Sequence, residues 1–83
     1  MELKETVEMM NSADYKERFK AEYHQVVIRY KKLAVMLQKW DKDELNFTPT
    51  SPRRIYNMQV RAMIDYIAVL EARAVMEGVE LGE

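Results

Sequence analysis

Between residues 13 and 40 the chain contains neither glycine nor proline, and Phe19, Tyr23, Val26, Tyr30, Leu33, Leu37 and Trp40 recur at steps of four and three. Seven successive matches to one heptad template specify a long helix with a narrow packing seam. A second stripe follows in Tyr56, Val60, Met63, Ile67, Leu70 and Ala74, framed by Ser51–Pro52 before it and Gly78 after it. Ser51 is a favoured N-cap, Pro52 suits the first helical position, and Gly78 suits a left-handed stop. At about 1.5 Å per residue the two helices would measure roughly 42 and 39 Å. Near-equal lengths and a short connection predict an antiparallel hairpin.

That connection, residues 41–50, reads DKDELNFTPT. Asp41, Asp43, Asn46 and Thr48 favour turns, and Pro49 biases Thr48 away from helix. Leu45 and Phe47 are expected to fold back over the open end of the hairpin. Upstream, Leu3, Val7 and Met10 are spaced four and three, so residues 1–11 are either a short helix or an arm. Asn11 and Ser12 interrupt this segment and offer a cap for the next helix, with Asp14 in its first turn. The expected organisation is a single domain, 1–83. It consists of the arm or short helix 1–11, a first long helix 13–40, the loop 41–50, a second long helix 52–77 and a loose tail 78–83, in which Val79 and Leu81 are able to add a contact.

Both long helices are apolar beyond one stripe. The first also carries Val27, Ile28, Ala34, Val35 and Met36, and the second Ile55, Met58, Ile64, Tyr66 and Val69. A hairpin hides one face per helix, so the surplus must meet the N-terminal segment, another copy of the chain or a partner. A core of this size is marginal without a staple, and the absence of cysteine removes the disulfide option. The expected fold class is therefore all-α: an antiparallel two-helix hairpin with a short N-terminal helical segment, assembling into a homo-oligomeric helical bundle.

Composition is informative chiefly by what it excludes. There is one histidine, His24, and the two glycines, Gly78 and Gly82, form no phosphate-binding loop. Paired-carboxylate and HExxH arrangements are missing, so no catalytic residue, metal ligand or cofactor is expected and His24 reads as a partly exposed helix histidine. No apolar run reaches the length of a membrane span, and the acidic N-terminus is neither a signal nor a transit peptide. The cytoplasm is the expected location, and the lack of cysteine fits a reducing compartment.

The formal net charge of −1 is a cancellation between blocks: −3 over residues 1–14, +5 over 15–40, −2 over 41–50, +3 over 51–64 and −4 over 65–83. Antiparallel packing gathers Arg29, Lys31, Lys32, Lys39, Arg53, Arg54 and Arg61 toward the loop end. Arg53 and Arg54 lie on the first turn of a helix, where unpaired N–H groups favour an anion. Tyr30, Trp40, Phe47 and Tyr56 supply aromatic faces nearby for stacking a base. Arg53, Arg54, Arg29, Lys32, Lys39, Trp40 and Tyr56 are the expected ligand-binding residues. The competing reading is a solvated basic end that complements a helix dipole and pairs with Asp41, Asp43 and Glu44. Long nucleic acid is not an expected partner, because acidic blocks flank the basic one.

The pattern YKERFKAEYHQVVIRYKKLAVMLQKW, a short polar loop and YNMQVRAMIDYIAVLEARA together resemble a known family. It comprises small phage-encoded helical-hairpin proteins, found among the hypothetical proteins of crAss-like and other tailed phages. The resemblance rests on Tyr15-x-x-Arg18, on Leu33-x-x-x-Leu37, and on Gln59-x-x-Ala62-Met63-x-x-Tyr66-x-x-x-Leu70, and it spans residues 14–73. It implies a dispensable phage gene acting in the host cell, a class rich in proteins that disarm host defence. The expectation is a non-enzymatic, self-associating protein that sequesters a small anionic nucleotide signal of host immunity. The alternatives are an inhibitor docked on a host defence protein and an accessory protein of phage assembly.

Overall fold

Heptad stripes that match in length can bury each other only if the chain reverses between them, and here it does. A computed structural model describes residues 1–82. A 3-10 turn, Leu3–Thr6, runs into α1 (Val7–Met10), followed by α2 (Tyr15–Asp41) and α3 (Arg53–Glu77). All regular structure among the described residues is helical.

Local chemistry sets the helix ends. Asp14 stands outside α2 and accepts the Lys16 N–H at 2.9 Å, while the Ser12 hydroxyl accepts the Asp14 N–H at 3.0 Å. Asp14 is thus the N-cap and Ser12 its support, two residues past the later of the expected caps, Asn11 and Ser12. Before α3 the capping position is Pro52, one residue after Ser51, and it offers no side-chain acceptor. At the far end Gly78 adopts φ 68°, and the Val79 N–H reaches back to the Ala74 carbonyl at 2.9 Å. That reversal turns the tail inward, and Val79 is buried with Phe19, Leu70 and Ala74 while Tyr23, Val26 and Leu81 pack against them. Val79 and Leu81 therefore join the core, while Glu80 between them is exposed.

The layout differs from a two-helix hairpin in one respect. The N-terminal segment lies against the back of α2 as a third layer, where Ala21 is fully buried. Thr6 is fully buried too, its hydroxyl donating to the Leu3 carbonyl at 2.7 Å and accepting from Gln25 Nε2 at 2.9 Å. Arg18 Nη1 donates to the Ser12 carbonyl at 3.0 Å. These bonds satisfy the polar groups that the layer buries, so it packs instead of swinging free.

Because α2 is sandwiched, its surplus apolar face is partly covered: Val27, Ile28 and Met36 are half-buried. α3 packs on α2 alone among the elements, and Ile55, Met58, Ile64, Tyr66 and Val69 stay exposed. At the loop end Asp43 takes φ 59°, which lets the Glu44 N–H bond the Lys39 carbonyl at 2.8 Å. Leu45 folds back and is half-buried, whereas Phe47, expected to join it, remains exposed. The molecule is elongated, 43 × 24 × 20 Å, and no described helix is long and apolar enough to cross a membrane.

Candidate functional site

The loop end assembles part of the basic cluster and ties up its best-placed member. Arg53 grips Asp41 with two nitrogens, Nη1–Oδ1 at 2.5 Å and Nη2–Oδ2 at 3.3 Å, and its Nε donates to Asn57 at 3.0 Å. Its guanidinium lies 5.4 Å from the Trp40 ring centroid, and Trp40 meets Tyr56 edge-on at 5.9 Å. Hydrogen bonding to Arg53 holds the Asp41 carboxyl below the usual carboxylate range and raises the guanidinium in turn. This cluster clamps the start of α3 to the end of α2. Trp40 and Tyr56 are both half-buried.

The other expected residues are dispersed. Arg54 is exposed and makes no ion pair among the described residues; the same is true of Arg29 and Lys39. Lys39 lines a shallow groove of about 250 Å³ with Val35, Glu44 and Phe47. Lys32 lines this groove too, but it also lines a larger cleft.

That cleft, about 500 Å³, lies midway along α2 and is completed by residues of α3 and by Met1, Glu2 and Gly82. Tyr23, His24, Val27, Tyr30, Lys31 and Lys32 form its floor, Ile67 and Glu71 of α3 one wall, and Met1, Glu2 and Gly82 its rim. Helical spacing explains the floor, since residues 23, 24, 27, 30 and 31 fall on one side of α2. The Tyr23 hydroxyl donates to Glu71 at 3.0 Å, and the Tyr23 and His24 rings stand edge to face at 5.5 Å. Tyr23 is thereby oriented by contacts to both long helices. Lys32 Nζ is 3.6 Å from Glu2 in an exposed pair, while Lys31 has no ion-pair partner among the described residues.

Chemically, the cleft offers apolar walls, two phenol rings, an imidazole and two ammonium groups. Among the described lining residues, Glu2 and Glu71 oppose those cations. Its size falls within the range of about 300–1,000 Å³ usual for small-molecule sites. Tyr23, His24, Tyr30 and Lys31 stand outside the expected ligand-binding set. The HQVVIRYKK stretch held the signal, an imidazole, a phenol and two lysines within nine residues, but nothing local showed that the chain ends would wall it in. No group of three or more His, Cys, Asp or Glu residues with metal-binding geometry occurs among the described residues.

The opposite end carries a polar network of another kind. The Tyr15 hydroxyl donates to Glu77 at 2.7 Å, Arg73 bonds both Glu77 and the Tyr15 oxygen, and Tyr66 donates to Glu22. Each phenol is pushed above its ordinary value, first by its carboxylate acceptor. These bonds pin the N-terminus of α2 to the C-terminus of α3 and occupy Arg73.

Neither curated proteins nor solved structures provide a significant match to the chain. Residues 13–76, covering α2, the loop and all but the last residue of α3, match one protein-family profile. The chain belongs to the Sequestin family.

Proposed function

We propose that this protein is a non-catalytic trap that binds a small nucleotide-type anion in the α2 cleft and withholds it from its receptor. The family description points to sequestration. The observation that carries the ligand class is the convergence of Tyr23, Tyr30, Lys31 and Lys32 in one cleft of about 500 Å³. A phenol ring takes a base face, and an ammonium group pairs with a phosphate oxygen. Two lysines meet two or three negative charges, which suits a cyclic or linear nucleotide better than a long polyanion. With its resemblance to small phage proteins, the chain reads as a counter-defence protein acting in the cytoplasm of the infected cell.

Titration calorimetry against cyclic dinucleotides, cyclic oligonucleotides and ADP-ribose derivatives tests this reading. At least one should bind at micromolar concentration or tighter, and it should be recovered chemically intact after the protein is denatured. Binding no tighter than millimolar across the panel overturns the proposal, and conversion of the bound compound overturns its non-catalytic part.

A further inference from the structure

The outward face of α3 repeats the pattern of its inward one. Ile55, Met58, Ala62, Asp65, Val69, Ala72 and Met76 step by three, four, three, four, three and four, and every one of them is exposed. At about 100° per residue this second stripe is centred roughly 150° around the helix from the first. Six of its seven positions are apolar or alanine. Met58, Val69 and Met76 retain 61%, 55% and 84% of their accessible surface. An uncovered heptad stripe on one helix is half of a helix–helix interface.

Surface area and charge both identify the missing half. A monomeric protein of 9.9 kDa is expected to expose about 5,200 Å². This chain exposes 6160 Å², an excess of about 1,000 Å² and close to the 800 Å² or so that each subunit gives to a standard interface. Charge is polarised along the same helix. Apart from Arg53, which is held by Asp41, and Glu71, which faces the cleft, its N-terminal half, through Ile64, carries Arg54 and Arg61 without an acid, and its C-terminal half carries Asp65 and Glu77 against Arg73. A parallel copy would lay like charges together. An antiparallel copy lays the basic half over the acidic half.

We infer that α3 of one chain pairs antiparallel with α3 of a second copy, the two-fold axis passing between Asp65 and Tyr66. In that register Ile55 lies opposite Met76 of the partner subunit and Ala62 opposite Val69 of the partner subunit. Arg54, which has no ion pair among the described residues, is brought to the partner's Glu77. Small residues at Ala62 and Ala72 let the backbones approach, and Asp65 near the axis is the one unfavourable element. The cleft of each copy stays open, because it lies on α2 away from this face.

Sedimentation of the full chain and cysteine cross-linking test the pairing together. The wild-type protein should sediment at twice 9.9 kDa. Val69→Asp should halve that mass while the helical circular dichroism is kept, since Val69 is exposed in the single chain. Asp65→Asn should tighten the dimer. The chain has no cysteine of its own. Ala62→Cys mixed with Val69→Cys should therefore form the mixed disulfide, with neither variant joining itself. A monomeric wild type at about 100 µM, a Val69→Asp dimer or self-joined Ala62→Cys overturns the inference. So does a monomer that binds a host protein one to one through Val69.

Discussion

Removing Lys31 and Lys32 together separates binding from folding. A charge-assisted hydrogen bond contributes about 1.5–3 kcal/mol, so two of them amount to about 3–6 kcal/mol. Lys32 must first leave Glu2, and an exposed pair of that kind is worth about 0–1 kcal/mol. The Lys32 side chain is 63% exposed, which places its contribution near the low end. A net loss of about 3 kcal/mol corresponds to roughly a hundredfold in affinity. Neither lysine supports the core, so stability should shift by no more than about 0.5 kcal/mol, or about 2–4 °C in thermal midpoint. Lys31→Ala/Lys32→Ala should therefore bind the tightest panel nucleotide about a hundredfold more weakly by calorimetry, at an almost unchanged midpoint. Glu2→Gln should do the reverse, strengthening binding up to about fivefold by releasing Lys32. Affinity within threefold of wild type in the double variant refutes the cleft assignment. A larger loss from Arg53→Ala/Arg54→Ala moves the site to the loop end.

Three further outcomes follow from the packing and the polar networks. Leu70 is fully buried against Phe19, Ala74 and Val79, so Leu70→Ala should cost about 2–5 kcal/mol in urea unfolding, and a loss below 1 kcal/mol contradicts the core described. Asp41 and Glu77 have depressed pKa values, so the stability they contribute is full above the usual carboxylate range and is lost as pH falls through those values; Tyr15 and Tyr66 are raised, so theirs is full below about pH 10 and is lost as pH rises further. The thermal midpoint should hold a plateau from about pH 5 to 9 and decline on both sides, and an unchanged midpoint at pH 11 counts against the tyrosine bonds. Gly78 sits at φ 68° with nothing within 4 Å of an added Cβ, so Gly78→Ala should destabilise by about 1 kcal/mol through backbone strain alone.

What the sequence conveyed was whatever repeats along a single helix. Phe19, Leu37, Leu70 and Ala74 are buried stripe positions, and the reversal between the stripes required only Pro49 and the acidic turn formers. The N-terminal layer was not legible in the same way. Its anchor is Thr6 bonded to Gln25, two polar residues with no periodic signal and 19 positions apart. Val79 follows a glycine stop and looked like tail, because burial after a left-handed turn depends on where the chain points next. The cleft was hidden for a related reason. Lys31 and Lys32 could be selected by charge, but Tyr23 and His24 become cleft residues only once Met1, Glu2 and Gly82 arrive from the ends of the chain. Arg53 pairs across the loop with Asp41, one of the three acids that the competing reading of the basic end named.

The N-terminal layer gives the cleft two walls of unequal permanence. One is the α2–α3 hairpin, whose amides can open only by separating two long helices. The other is the rim at Met1 and Glu2, backed by a 3-10 turn and a single four-residue helix. Local opening is least costly where buried apolar contacts are few. The rim can therefore lift while the hairpin stays folded, so ligand exchange would be timed by a local motion and not by global unfolding. Hydrogen exchange should show the amides of residues 3–10 exchanging much faster than those of α2, with bound nucleotide slowing the first group selectively. Equal protection of the two would mean that the cleft opens only when the whole molecule does.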